Sequence, residues 1–356
     1  MSAAPDRGPG LRGIADLRGI ADLRDTERRT RAALAGIWPG CDVHGLRPLP
    51  GGASSLTFVT EVAGAPADRV VVKMAPPGLP PVRNRDVLRQ ARVLRALAEV
   101  PEVDVPAIYA SDAGDPPGMP PLFVMEYVEG ESYEPLLTTL DPGAVRPADD
   151  DVERRARSAV RMLAALHRHD AAGLGLAGEP EMSLADECAK WARALATCSL
   201  DDESARLEAE CRRRLARGKP APVPPVVLHG DWRLGNMQCA GAQVRAVIDW
   251  EIWSVGDPRT DLAWMMMWAS PGNPGTGVRD TFMPAPRRLQ AWYEAAAGEA
   301  VADLDWVQGL IRYKSAAVAA LLVKNAGKRG EAGDQLERRR RSIRGTLEWA
   351  LQVLPA

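Results

Sequence analysis

The chain has 356 residues, a formal net charge of −2, 46% hydrophobic residues and 26% charged residues. That length suits two domains better than one core. The near-balanced charge excludes a global field that would gather nucleic acid or a polycation. No apolar run approaches the ~20 residues of a membrane span. Residues 1–29 are polar and lack the apolar stretch of a secretory leader, so a cytoplasmic protein with no membrane or nucleic-acid partner is expected. Five scattered cysteines without a Cys-x-x-Cys pair read as reduced thiols.

In chain order, a hexamer (Arg-Gly-Ile-Ala-Asp-Leu) occurs twice in tandem over 12–23, too short for a repeat architecture. The pattern predicts a helix over 25–37, then two strands (46–49 and 56–60) around the small-residue turn 50–55. A Val-rich strand follows at 69–74. Apolar residues at Val87, Ala91, Leu94 and Ala98 predict a helix over 84–98. Residues 121–128 read as a strand, 129–131 as a linker and 142–151 as a loop. A helix over 152–167 opens a mostly helical remainder, interrupted at 218–250 by short strands near 225–228 and 244–249. The fold class expected is α+β, a small β-rich part joined to a larger helical one.

Four features carry chemistry. In His229-Gly230-Asp231-Trp232-Arg233-Leu234-Gly235-Asn236, an Asp five residues before an Asn on a loop can bring both oxygens to one site. The Asp would accept the proton of an attacking hydroxyl and the Asn would offer a hard oxygen to Mg²⁺. Asp249, ending the apolar strand Val247-Ile248, is placed in sequence to hold the same metal. Lys73, near the end of the Val-rich strand, can act as a point charge toward nucleotide phosphates. The turn Gly51-Gly52-Ala53-Ser54-Ser55 can bring backbone N–H groups close to phosphate. Each is weak alone; their order and spacing together point to phosphoryl transfer.

On these motifs the chain resembles the aminoglycoside phosphotransferase-like (phosphotransferase enzyme) family, relatives of the protein kinases, over about residues 30–325. The strongest piece is His-Gly-Asp-x-x-x-x-Asn, then Ile248-Asp249-Trp250-Glu251, then Gly256-Asp257-Pro258-Arg259-Thr260-Asp261-Leu262-Ala263. It is also similar to the kinase-like domain fused to some acyl-CoA dehydrogenases. The resemblance implies a two-lobed protein-kinase-like fold: a tail at 1–28, a nucleotide-binding N-lobe at 29–125, a hinge at 126–131 and a helical C-lobe at 132–356. It implies an ATP- or GTP-dependent phosphotransferase acting on a hydroxyl of a small molecule. Asp231 would be the base, Asn236 and Asp249 the Mg²⁺ ligands, and Lys73 the phosphate contact. Ser54 and Ser55 would lie in the phosphate-covering loop, and backbone groups of Glu126 and Val128 would hold the purine. The family's usual Glu in the helix after the lysine strand is Gln90 here, which leaves Gln90 or Asp86 to anchor Lys73.

The alternative is a kinase-fold ligand-binding protein without transfer activity. A protein kinase is disfavoured, because no Asp-Phe-Gly to Ala-Pro-Glu segment is present. Other features read as structural. His229 would shape its loop, Asp257 and Asp261 would brace the next helix, and His167 and His169 would cap a helix C-terminus. Trp264 to Trp268 reads as a buried helix, and the basic runs Arg212–Arg214 and Arg338–Arg341 as solvated faces.

Overall fold

The structure, a computed structural model, describes residues 23–49, 54–134, 147–275 and 282–356. The chain divides into two compact units. One holds the residues up to Glu129 together with Arg245–Ile252; the other holds Gly130–Val244 and Trp253–Ala356.

The first unit begins with α1 (Leu23–Leu34), followed by β1 (Asp42–Pro48), β2 (Leu56–Ala63) and β3 (Arg69–Met74). A 3₁₀ turn at Arg83–Arg85 leads into α2 (Val87–Leu97), then β4 (Ile108–Asp112) and β5 (Leu122–Glu126). The five strands form one antiparallel sheet ordered β1-β2-β3-β5-β4. With two strands on either side, β3 is central, and its Val70, Val71 and Val72 are buried on both faces of the sheet. Strand alternation sends Val70, Val72 and Met74 into the core that includes Leu34, Phe58 and Val124, so Val71 and Lys73 take the opposite face. Helix α2 packs on β4 and β5, with Val87, Ala91, Val93, Leu94 and Leu97 buried.

The second unit is mainly helical. Its elements are α3 (Asp149–Leu166), β6 (Glu181–Met182), α4 (Leu184–Ala196), α5 (Asp202–Arg217), β7 (Val226–Leu228) and β8 (Met237–Ala240). Strand β9 (Gln243–Val247) pairs with β8 in a short hairpin. After it come β10 (Ser254–Gly256), α6 (Arg259–Ala269), α7 (Pro286–Ala297), α8 (Leu304–Lys328) and α9 (Asp334–Leu351). Helix α3 buries Val152, Ala156, Ala159, Val160, Leu163 and Leu166 on one stripe and packs on α7. Helix α8 lies against α6 and α9, and α4 starts with a reciprocal Ser183–Asp186 capping box. Strand β10 joins β6 and β7 in a small sheet whose β7 end delivers the His229 loop.

Three expectations change. Strand β4 has no counterpart in the sequence reading, because Ile108-Tyr-Ala-Ser-Asp is short and weakly apolar and gains strand geometry only by pairing with β5. Asp149, Asp150 and Asp151 belong to the first turn of α3 rather than to a loop, where carboxylates suit the positive end of the helix dipole. Strand β1 begins at Asp42, four residues earlier than expected. The repeat over 12–22, the turn residues 50–53 and the loop residues 142–146 lie outside the described residues. No described helix is long and apolar enough to cross a membrane.

Candidate active site

The residues singled out from sequence fall into two clusters, one in each unit. In the first unit, Lys73 sits on β3 opposite Thr57 and Phe123 and is only 6% exposed. A buried ammonium needs a partner, and Asp249 supplies it, with Oδ1 at 2.9 Å from Nζ. Asp249 holds a left-handed backbone (φ 65), which Asp tolerates better than most residues. The following 3₁₀ turn, Trp250–Ile252, is pinned by the buried Trp250, whose Nε1 donates to Val247 O at 3.0 Å. Ser54 Oγ donates to the Glu251 carboxylate. Ser55 Oγ is buried and has no hydrogen-bond partner among the described residues.

Neither expected anchor of Lys73 holds. The Gln90 amide donates to Asn84 O at 3.4 Å, and Asp86 caps α2 by accepting from Arg89 N at 3.0 Å. Residues 245–252 fold with the first unit, so a full carboxylate reaches Lys73, and a charge-assisted bond outcompetes one to an amide. At the end of β5, Glu126 N donates to Ala107 O, and its carboxylate accepts from Ala107 N. Val128 lies half-buried just past that strand.

In the second unit, the loop after β7 is held from beneath by Asp261 on α6, which is 1% exposed. Its two oxygens accept from His229 N at 2.7 Å and Gly230 N at 2.8 Å. His167 Nε2 stands 3.7 Å away, while its Nδ1 meets Tyr293 OH at 2.8 Å. Burial acts to raise the Asp261 pKa, but His167, His229 and the Gly230 amide outweigh it and hold the carboxyl below its usual range. Gly230 takes φ 86, a turn that a side chain would strain. His229, fully buried, accepts from Asp231 N through Nδ1 at 3.1 Å and so shapes the loop.

Asp231 thus emerges with its carboxylate heavily solvated by donors. Oδ1 accepts from Trp264 Nε1 at 2.7 Å and Oδ2 from Asn236 Nδ2 at 2.7 Å; Arg233 Nε lies 3.1 Å from both oxygens. Asn236 Nδ2 also donates to Asp231 O at 2.9 Å, which leaves its amide oxygen as the acceptor atom a cation could use. Arg233 bridges onward to the buried Glu134 at 3.2 Å, and Glu134 also accepts from Gly235 N. Lys314 of α8 lies 3.4 Å from Gly230 O, with its ammonium over the Trp264 indole at 4.4 Å.

The structure therefore groups Lys73, Asp249 and Ser54 with Glu251 in one unit, and Asp231 with Asn236 in the other. Four residues near Asp231 escaped the sequence reading. Trp264 looked like core, yet it and Trp268 are only half-buried, while Met265, Met266 and Met267 fill the interior. A signal existed: Trp264 is three residues after Asp261 and shares its helix face. Arg233 stood inside the motif. Glu134 and Lys314 are roughly a hundred residues away in sequence and carried no local signal. The Arg212–Arg214 run pairs with Glu208 and Glu210 along its own helix, as a solvated face does. Asp257 clamps Arg259 through its backbone N and its guanidinium.

The chain is 26% identical over 228 residues to a protein of Arabidopsis thaliana named as an acyl-CoA dehydrogenase, IBR3; the match covers 61% of this chain and 27% of that one. The chain therefore spans about a quarter of the length of the curated relatives it matches. Among solved structures, a candidate aminoglycoside phosphotransferase from Ralstonia eutropha superposes with a TM-score of 0.72 at 21% identity, covering 93% of this chain and 98% of that one. The aminoglycoside phosphotransferase APH(4)-Ia, solved with ADP and hygromycin B, superposes with a TM-score of 0.57 at 13% identity, covering 93% and 99%. A model of the phosphotransferase enzyme family matches residues 45–310. With three quarters of its length inside that match and a kinase-like α+β fold around the His-Gly-Asp loop, the chain belongs to the phosphotransferase enzyme family.

Proposed function

We propose that the protein transfers the γ-phosphate of ATP or GTP to a hydroxyl of a small molecule, with Asp231 as the general base. The observation that carries this reading is the Asp231–Asn236 pair, bonded at 2.7 Å on a loop that the buried Asp261 pins through two backbone amides. A base in phosphoryl transfer must be held in place more than it must be strong, because catalysis there is mainly positioning and charge neutralisation.

The residues present fit Mg²⁺ and a nucleotide. Asn236 offers an amide oxygen and Asp249 a carboxylate, both hard donors suited to Mg²⁺, which would neutralise phosphate charge when bound. Lys73, held by Asp249, would contact the phosphates. The unpartnered Ser55 hydroxyl and its neighbour Ser54 suit a segment that covers them. The backbone of Glu126 and Val128 would hold the purine, with Gln90 supporting the same lobe from α2. The reading keeps a tail to residue 28, a nucleotide lobe to 125, a hinge at 126–131 and an acceptor lobe beyond, with two departures: α1 already begins at Leu23, and residues 245–252 fold with the first unit. The relatives with ADP-bound and aminoglycoside-named structures support a nucleotide donor and a small-molecule acceptor.

Asp231→Ala should lower kcat at least ~10²-fold, the scale of a positioned base, while Mg-nucleotide affinity measured by calorimetry stays within about threefold. Unchanged turnover would remove Asp231 from the chemistry. A second reading, ligand binding without transfer, draws on the three donors that already occupy the Asp231 oxygens. It requires nucleotide binding with no phosphate-mass gain on any acceptor of a broad hydroxyl panel.

A further inference from the structure

Near Asp231 stands one cation that has no carboxylate within ion-pair distance among the described residues. Arg233 is divided between the Asp231 and Glu134 carboxylates, and Lys190 is paired with Glu187 at 3.1 Å. Lys314 differs. Its polar contact is a carbonyl, Gly230 O at 3.4 Å, and no carboxylate among the described residues lies within ion-pair distance of it. Two indoles flank it instead: Trp264 at 4.4 Å from Nζ to ring centre, and Trp191 of α4 at 5.8 Å. Burial, the largest influence, lowers the Lys314 pKa; Glu187, Asp231 and Asp261 act the other way without reversing it, and Lys190 adds to the lowering.

A half-buried ammonium without a carboxylate in ion-pair reach gains from an anion that reaches it. The indole faces attract the cation weakly and cannot replace a counter-ion, but they supply flat apolar walls on which a carbon skeleton can lie. The Trp264 indole links the two ends of this arrangement, donating through Nε1 to the Asp231 carboxylate and presenting its face to Lys314. A ligand held on Lys314 therefore has its far end about one indole from the base.

From this juxtaposition we infer that the acceptor is a hydroxylated molecule carrying an oxyanion, a carboxylate or phosphate, which Lys314 binds between Trp191 and Trp264 while the hydroxyl faces Asp231. This rests on the phosphotransferase reading above and narrows its substrate class. The same cation disfavours a polycationic acceptor, because like charge placed beside a half-buried ammonium is penalised.

The test is binding by calorimetry to the full chain with Mg-ADP present. The probes are 3-hydroxybutyrate, 6-hydroxyhexanoate and glycerol 3-phosphate, each against its neutral counterpart (the two amides and glycerol), with kanamycin as the polycation. At least one anion should bind about tenfold or more tighter than its neutral counterpart, the scale of a charge-assisted hydrogen bond. Comparing the carboxylate and phosphate arms identifies which oxyanion is preferred. Lys314→Met should bring that ratio to within about twofold, and Lys314→Arg should retain most of it. Equal binding of every acid and its neutral counterpart, tighter binding of kanamycin, or an anion preference surviving in Lys314→Met overturns the inference. The wild-type comparison decides the matter even if Lys314→Met fails to fold. Asp231→Ala separates the two readings: it should keep anion binding yet lose transfer, and transfer that persists would refute the base while leaving the anion site standing.

Discussion

Asp261→Asn probes the support of the His229–Asp231 loop rather than the loop itself. In the native chain, both Asp261 oxygens are used, one on His229 N at 2.7 Å and one on Gly230 N at 2.8 Å, at a site 1% exposed. Asparagine is nearly the same size and keeps one acceptor oxygen, but it turns the other position into an NH₂ that faces a backbone N–H. One bond to a charged acceptor is lost, at about 1.5–3 kcal/mol, and the amide left unpaired adds its own desolvation cost; together the variant should be destabilised by about 2–4 kcal/mol. For a unit of this size that corresponds to a melting temperature roughly 4–16 °C lower. Because the Asp261 pKa is held below its unfolded value, its contribution is present above the ordinary carboxylate range of about 4. It is lost as pH falls through the lower folded value, so wild type and variant should converge in stability at acid pH. Denaturant unfolding at pH 7 and at successive steps below pH 4 measures both. A loop shifted by even an ångström should also cost about 10²-fold in kcat. A variant within about 0.5 kcal/mol of wild type at pH 7 would refute the view that Asp261 pins the loop.

Three further outcomes follow from named contacts. Asp249→Asn keeps a residue that accepts the left-handed backbone at φ 65 but removes the charge facing Lys73, so Mg-nucleotide affinity should fall at least ~10-fold by calorimetry; unaltered affinity would take Asp249 out of the metal site. Arg233→Ala takes the guanidinium away from the buried Glu134 carboxylate and should destabilise the fold by about 3 kcal/mol in urea titration, with no loss expected if the pair is dispensable. Burial pushes the Cys211 thiol up to about 12 and that of Cys239 to about 11. Both should therefore resist thiol reagents at pH 8 until the chain is unfolded, whereas the partly exposed Cys198 should react in the native state.

Much of the architecture was legible before any coordinates. The β3 valines, the apolar spacing of α2 and α3, and the separation of a strand-rich segment from a helix-rich one all follow from local periodicity, which is a property of neighbouring residues. The same holds for Asp231, Asn236 and Asp249, whose residue types and spacing suggest phosphoryl transfer without a third dimension. The short strands β4, β6 and β8 were not legible, because their geometry comes from partners far along the chain rather than from their own composition.

The surroundings of those motifs depended on tertiary structure. Sequence left Gln90 and Asp86 as candidate anchors for Lys73; the return of residues 245–252 into the first unit put Asp249 there instead. Sequence marked Trp264 as core; the rotation of α6 that buries three methionines turns its indole N–H onto Asp231. Glu134 and Lys314 approach the loop from α-helical and hinge-side segments far away in the chain, a proximity no spacing encodes. What the sequence by itself determined is the phosphotransferase family, because the His-Gly-Asp-x-x-x-x-Asn spacing that carries the resemblance is local to a few residues. What only the tertiary structure decided is the electrostatic setting of Asp231, including the Lys314 ammonium set against the Trp264 indole, because burial and charge pairing are sums over the whole fold.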